Sequence, residues 1–293
     1  MTIEPQLAAR AAELIAQSDG LVIAAGAGIG VDSGLPDFRG NEGFWKAYPA
    51  LGRARREFTS VASPRTFQED PALAWGFYGH RLKLYRETVP HEGFALLKAW
   101  GEAMDHGCFV FTSNVDGQFQ KAGFDPRAIY ECHGSIHHLQ CLQPCGGKIW
   151  PADGFAPEVD ADACRLRNEP PRCLDCGGLS RPNILMFGDW GWIERRSEMQ
   201  AARLEAWLEK VRRPLVIELG AGTAIPSVRH FGHAVMQRGG RMVRINPREF
   251  AVGSAADVGI AAGALEGLRA IAGAMAVVSS QSKPVNQGQT RRV

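Results

Sequence analysis

Four cysteines stand in two close pairs, Cys141-x3-Cys145 and Cys173-x2-Cys176, with 27 residues between the pairs. Each pair can grip one metal ion from a turn, and two pairs complete a thiolate tetrahedron around zinc. Gly146-Gly147 and Gly177-Gly178 follow the pairs directly, which allows turns whose backbone N–H groups face the sulfurs. Four thiolates leave no coordination position open, so this zinc is structural. Unrelated thiols in a loop are the competing reading, and the pairing, spacing and glycines favour zinc. Cys164 is the odd cysteine of this stretch and the substitute for Cys145 if the wider first pair fits the metal poorly.

A second set of residues could move protons and bind a nucleotide. Gly26-Ala27-Gly28-Ile29-Gly30 follows an apolar run, where glycines let the backbone approach a phosphate and the next helix start offers free N–H groups. A tight turn without a ligand explains the glycines equally well. The dehydrogenase fingerprint is only half met, because Val31 stands where its third glycine belongs and residues 44–56 hold no acidic residue. Hydride transfer is therefore disfavoured. Asn114 and Asp116 (in Thr112–Gly117) and His133 (in Glu131–Ser135) end two further apolar runs. A histidine at such a place can take a proton from a sugar hydroxyl near neutral pH. Each of these three residues alone reads as an ordinary turn or structural residue, as do His137 and His138.

A third pair, Tyr78 and Arg81, is three residues apart and shares one face of an expected helix. A phenol beside a guanidinium makes a receptor for a carboxylate. Spacing alone favours the plainer reading, in which Arg81 is solvated and Tyr78 is core.

These residues need a scaffold. Runs at 20–25, 108–112, 128–132, 214–219 and 242–245 are apolar throughout rather than alternating, as in a parallel sheet covered on both faces. Helical stretches at 91–101, 193–212 and 226–238 lie between them, so the class is α/β, Rossmann-like. The opening segment is an amphipathic helix with Leu7, Ala11, Leu14 and Ile15 on one face. Residues 41–90 read as loop and helices outside the sheet. Residues 136–182 carry most of the cysteines and little apolar material, and need a staple. The expected division is a nucleotide-binding domain over 1–40, 91–135 and 183–276, a small helical and zinc module over 41–90 and 136–182, and a disordered polar tail over 277–293.

The 293 residues are 45% hydrophobic and 22% charged, with a net charge of +2. That balance gives no reason to expect a nucleic-acid surface or a polybasic membrane contact. No run is long enough to span a bilayer and no signal peptide is visible, so a cytosolic location is expected. Seven cysteines, odd in number and unevenly spaced, suit metal binding better than disulfides.

Taken together, Gly26–Gly40, Thr112–Gly123, Glu131–Cys141, the cysteine pairs, Arg181–Asp189, Gly222-Thr223 and Ile245-Asn246 resemble the sirtuin family, in the family's order and over roughly residues 10–270. The resemblance implies a Rossmann-type domain with a small zinc module, and NAD consumed as co-substrate to remove acyl groups from protein lysines. It implies His133 as base, with Asn114 and Asp116 around the nicotinamide and its ribose. Ala25, Gly26, Ala27, Gly28 and Ile29, with Phe38 and Arg39, match the loop around the phosphates and reactive ribose, and Ser113 falls at a further cofactor-binding position. Gly222, Thr223 and Asn246 match the adenosine end. Phe187, Gly188 and Asp189 match the segment that pairs with the substrate backbone. In this family a Tyr-x-x-Arg pair at the place of Tyr78 and Arg81 marks a preference for succinyl, malonyl or glutaryl lysine. Gly30 and Ser113 depart from the usual Ser and Gln near the nicotinamide, and Trp190-Gly191-Trp192 is unusually aromatic. A protein ADP-ribosyltransferase and an NAD-binding sensor without turnover are the alternatives. Retention of His133 argues against the transferase. The sequence names neither the protein substrates nor the oligomeric state.

Overall fold

The computed structural model describes residues 3–36, 40–143 and 145–281, apart from the side chains of residues 40, 41 and 278–281. The chain opens with helix α1 (Pro5–Gln17), strand β1 (Gly20–Ala25) and a 3-10 turn over Ala27–Ser33. Helices α2 (Gly40–Ala47), α3 (Pro49–Arg53), α4 (Phe58–Val61), α5 (Pro64–Glu69) and α6 (Pro71–Glu87) follow. Next come α7 (Gly93–Glu102), β2 (Cys108–Thr112), α8 (Gln118–Lys121) and β3 (Ile129–Glu131). The cysteine-bearing stretch contributes β4 (Gly134–Cys141), β5 (Ile149–Pro151), β6 (Val159–Asp160), β7 (Arg165–Leu166) and β8 (Ser180–Ile184). The chain continues through α9 (Arg195–Leu208), β9 (Pro214–Leu219), α10 (Ser227–Gln237), β10 (Arg241–Ile245), β11 (Val258–Ile260) and α11 (Ala264–Gln281).

Six strands form one parallel sheet in the order β11-β10-β9-β1-β2-β3. β1 is buried at every position because alternate side chains enter two different cores. Leu21, Ile23 and Ala25 pack with Ile15 of α1, Leu97 of α7 and Leu268 of α11. Val22 and Ala24 pack with Leu204 of α9 and Val228 of α10. The chain leaves β1 for β2 on one side and returns as β9 on the other, so the switch point lies beside the carboxyl end of β1. A third core gathers Phe44, Phe67, Trp75, Phe77 and Tyr78 with Leu139, Trp150 and Phe155. Leu35, Val115, Ile184 and Met186 also belong to it, so it is continuous with segments that flank the sheet.

α6 supplies the centre of that third core. Pro71 opens it, and the Asp70 carboxylate caps it by accepting from the Leu73 N–H at 3.1 Å. Its apolar residues surround the axis rather than forming one stripe, and such a helix must be buried.

Several sequence expectations need correction. α1 buries Ala8, Ala11, Ala12 and Ile15, while Leu7 and Leu14 are only partly covered; small side chains let α1 pack closely on α11. The third expected strand loses Ala128 to a 3-10 turn begun by Pro126, whose next N–H, that of Arg127, is capped by Asp125. β4, β5 and β8 form an antiparallel sheet where only stapled loops were expected. β11 and α11 were not expected either. α11 runs to Gln281, into the expected tail, and residues 282–293 lie outside the described residues. Among the described residues no helix is long and apolar enough to cross a membrane.

Candidate active site and metal centre

The two cysteine pairs converge. The sulfurs of Cys141, Cys145, Cys173 and Cys176 all lie within 4.8 Å of one another. Cys141 Sγ is 3.7 Å from Cys176 Sγ, and Cys145 Sγ is 3.6 Å from Cys173 Sγ. A zinc tetrathiolate with Zn–S bonds of about 2.3 Å has S···S edges of about 3.8 Å, so the donor set fits zinc. Gly147 and Gly177 both sit at φ +70°, the left-handed backbone the knuckle turns require. The Gly178 N–H points at Cys176 Sγ, 3.4 Å away. Cys164 is buried in the third core and is no part of the cluster, so it does not replace Cys145. The expected stoichiometry is one zinc per chain. Cys173→Ala should lose the metal and unfold this module, because binding free energy there is folding free energy. Elemental analysis finding no zinc in the purified protein contradicts this assignment.

The second site forms where the parallel ladder runs past its strand ends. Gly26 N–H donates to the Leu219 carbonyl, Ser113 N–H to Ala25, Cys132 N–H to Thr112 and Asn246 N–H to Ile260. Side chains lock the same join: Thr112 Oγ1 donates to the Ala25 carbonyl at 2.9 Å, and Asn114 Nδ2 to the Gly26 carbonyl at 3.1 Å. The glycine turn itself is a 3-10 turn, not an α-helix start. A Cβ on Gly28 would lie 2.6 Å from Gly220 Cα, so this glycine is required by close backbone packing whether or not a phosphate is present. Ala27 is exposed and Ile29 is buried, its carbonyl held by His91 Nε2 at 2.9 Å. Gly28, Val31, Gly220, Ile245, Pro247 and Arg248 line a crevice of about 190 Å³.

Gly222 and Thr223 are exposed beyond β9, with Thr223 Oγ1 donating to Glu249 at 3.2 Å. Asn246 is buried and its amide is engaged at both ends, donating to Ala221 and accepting from the Arg248 and Glu249 N–H groups. Its side chain therefore shapes the turn after β10. Phe38 and Arg39 lie outside the described residues.

His133 follows β3, and its Nε2 is 3.1 Å from Ser227 Oγ at the start of α10. Burial lowers its pKa, and a hydrogen bond to the Ser113 backbone partly opposes that. No signal in the sequence marked Ser227 as its partner. Burial pushes the Asp116 carboxyl up to about 6, against the Gln118 N–H that it accepts at 2.9 Å. Burial also pushes the Cys132 thiol up to about 12, so beside this site it is an inert thiol at neutral pH.

Tyr78 and Arg81 are both buried, which removes the solvated-arginine reading. They do not act as a simple pair, because Arg81 Nε and Nη2 donate to Tyr85 Oη at 2.9 and 2.7 Å. The guanidinium also lies 5.2 Å from the Phe77 ring centre, 5.9 Å from that of Tyr78 and 5.3 Å from that of Tyr85. Tyr85 was findable in the sequence, since it stands four residues after Arg81 on the same helix face.

In the last segment, Phe187 is exposed, its N–H donates to the Ala62 carbonyl and its ring stands edge-on to Phe58. Gly188 is exposed at φ +65°. The Asp189 side chain does not face outward as a substrate ligand. It is fully buried against Arg181, accepting at 2.7 and 2.8 Å.

The fold and the strand-end crevice define a nucleotide-binding α/β protein with a thiolate-stapled appendage. The Sir2 family model matches residues 26–206, and the chain belongs to the Sir2 family. It is 33% identical over 250 residues to "NAD-dependent protein deacylase 2" of Pyrobaculum aerophilum, covering 84% of this chain and 87% of that one. It is 32% identical to "NAD-dependent protein deacylase 1" of Pseudomonas aeruginosa, covering 80% and 86%. A solved Sir2 homologue–NAD complex superimposes with a TM-score of 0.71 at 24% identity, over 92% of this chain and 94% of the other. At that identity the likeness speaks for the fold.

Proposed function

We propose that the protein is an NAD-dependent protein-lysine deacylase acting in the cytosol, with residues 1–40, 91–135 and 183–276 holding NAD and residues 41–90 and 136–182 forming the small module. NAD supplies the ADP-ribosyl group, and the products are nicotinamide and O-acyl-ADP-ribose. The observation that carries this reading is the placement of His133. With one ring nitrogen engaged by the Ser113 backbone, Nε2 keeps its lone pair, which accepts from Ser227 Oγ at 3.1 Å; a sugar hydroxyl that displaces Ser227 gives its proton to that lone pair. Asn114 and Asp116 position the reacting sugar, Ala25 to Ile29 with Phe38 and Arg39 hold the phosphates and ribose, Ser113 binds the cofactor as well, and Gly222, Thr223 and Asn246 frame the adenosine. Phe187 and Gly188 present backbone to the peptide. Mass spectrometry of NAD with an acyl-lysine peptide panel tests this. Free O-acyl-ADP-ribose supports it, ADP-ribose attached to protein replaces it with a transferase, and no nicotinamide release leaves a sensor.

The acyl group we assign is acidic: succinyl or malonyl. What supports this is a charged guanidinium held within an aromatic core on α6, with Tyr78 and Tyr85 as neutral phenols beside it; burial pushes the Tyr78 phenol up to about 12. Arg81→Met should lose the succinyl substrate by ~1.5–3 kcal/mol, the worth of a hydrogen bond to a charged group, and leave acetyl-lysine little changed. Matched acetyl and succinyl peptides decide it. Equal loss on both means Arg81 only holds the fold.

A further inference from the structure

A cavity of about 1040 Å³ lies apart from the strand-end crevice and shares no lining residue with it. Ser135, His137 and His138 of β4 line it, with α8, β5 and α9 around them. Ala25 to Ile29, Ser113, Asn114, His133 and Gly222 do not reach it, and of the residues matched to NAD only Asp116 lines it as well.

Its lining is strongly cationic. Arg86 comes from the end of α6, Lys121 from α8, Arg127 from the turn before β3, and Arg195, Arg196 and Arg203 from α9. Lys148 adds a seventh cation, and Asp116 is the one carboxylate in the lining. Two of the cations are paired, Lys148 with Asp175 at 2.9 Å and Arg196 with Glu131. Arg86 donates to the carbonyls of Ala152 and Phe155, and Lys121 to those of Arg86 and Thr88. Carbonyls orient these groups without neutralising them. Arg127 and Arg195 are exposed and have no carboxylate within ion-pair distance among the described residues.

Gathering like charges in a concave surface costs repulsion and focuses a positive potential there. Guanidinium forks match phosphate oxygens, two bonds at a time. Tyr85, Pro126, Ile149, Pro151 and Met199 add apolar surface to the same lining. The volume suits a small organic ligand. The chain's net charge is only +2, so the basic character is local, which suits one compact anion better than a long nucleic acid.

We propose that this basin binds a nucleotide-sized organic polyphosphate. Its phosphates meet the arginines of α9 and the preceding turn, and its organic part lies on the apolar patch. The proposal does not rest on the deacylase reading, although Asp116 and Tyr85 line the basin as well.

Calorimetric titration of the full chain with inorganic tripolyphosphate and with ATP, each with saturating ADP-ribose present, tests it. Saturable one-to-one binding is expected, tighter for ATP and weakened by salt. Arg127→Glu and Arg203→Glu should each weaken it about tenfold or more, the worth of a charge-assisted hydrogen bond. Arg195→Glu stands in for either variant that fails to fold. Arg241→Glu makes the same charge change at the exposed start of β10 and should leave binding unchanged. No saturable binding, an equal loss in Arg241→Glu, or tighter binding of a DNA 20-mer than of ATP overturns the proposal. ADP-ribose binding measured alone shows separately whether the strand-end crevice takes its ligand.

Discussion

His133→Ala lowers the rate of acyl transfer by about 10²–10⁴-fold, the range a positioned general base contributes, while NAD affinity and thermal stability stay near wild type. The selectivity of the loss follows from the ring's surroundings. His133 is only half-buried and touches Ser113 and Ser227, so removing it opens no core and strands no buried charge. The same surroundings set the acid limb of the pH profile. Burial lowers the His133 pKa from the ordinary imidazole value, so at neutral pH the ring is in its basic, proton-accepting form. The rate should hold as pH falls towards 6.5, the ordinary imidazole pKa, and drop only below it. Single-turnover rates for wild type and variant across that range check both points. A variant that deacylates at near-normal rate removes His133 from the mechanism.

Asp189→Ala should cost about 3–5 kcal/mol of stability, the typical result of breaking a buried ion pair from one side. Both side chains of the Arg181–Asp189 pair are fully buried. The carboxylate also accepts from the Met186 and Gly191 N–H groups at 3.3 and 3.0 Å, and Arg181 Nη1 donates to the Ile184 carbonyl at 3.2 Å. The variant leaves a guanidinium without its anion and frees the loop carrying Phe187 and Gly188, so the KM for peptide should rise as well. Replacing both partners, as Arg181→Met with Asp189→Leu, should recover part of the stability because no uncompensated charge remains. Denaturant midpoints for the three variants give the comparison. A loss below about 1 kcal/mol in Asp189→Ala, the scale of an exposed pair, would falsify the assignment of a dry, structural pair.

The sheet was legible in the sequence because its strands are short and apolar throughout. Gly20–Ala25, Cys108–Thr112 and Pro214–Leu219 fall where the pattern placed them. The zinc ligands were legible because a closed thiolate site depends on local spacing that turns can satisfy by themselves. β4 was missed because its central His137-His138 pair interrupts the apolar pattern, and α11 because an Ala- and Gly-rich segment carries little amphipathic signal.

What the sequence by itself determined is the local chemistry: two chelating turns, a glycine turn and polar residues at strand ends. Only the tertiary structure decided which of those polar groups face a site and which are spent on the protein. Asp189 and Asn246 belong to the matching motifs as His133 does, yet the Asp189 carboxylate is engaged by buried Arg181 and the Asn246 amide by backbone groups. Arg81 donates to Tyr85 as well as lying over the Tyr78 ring, and His133 is steadied by Ser227, 94 residues away. Gly28 is also fixed by its contact with Gly220, a position no local pattern connects to it. These outcomes depend on long-range packing, because a buried polar group must find a partner wherever the fold supplies one, and a motif records only its own neighbours along the chain.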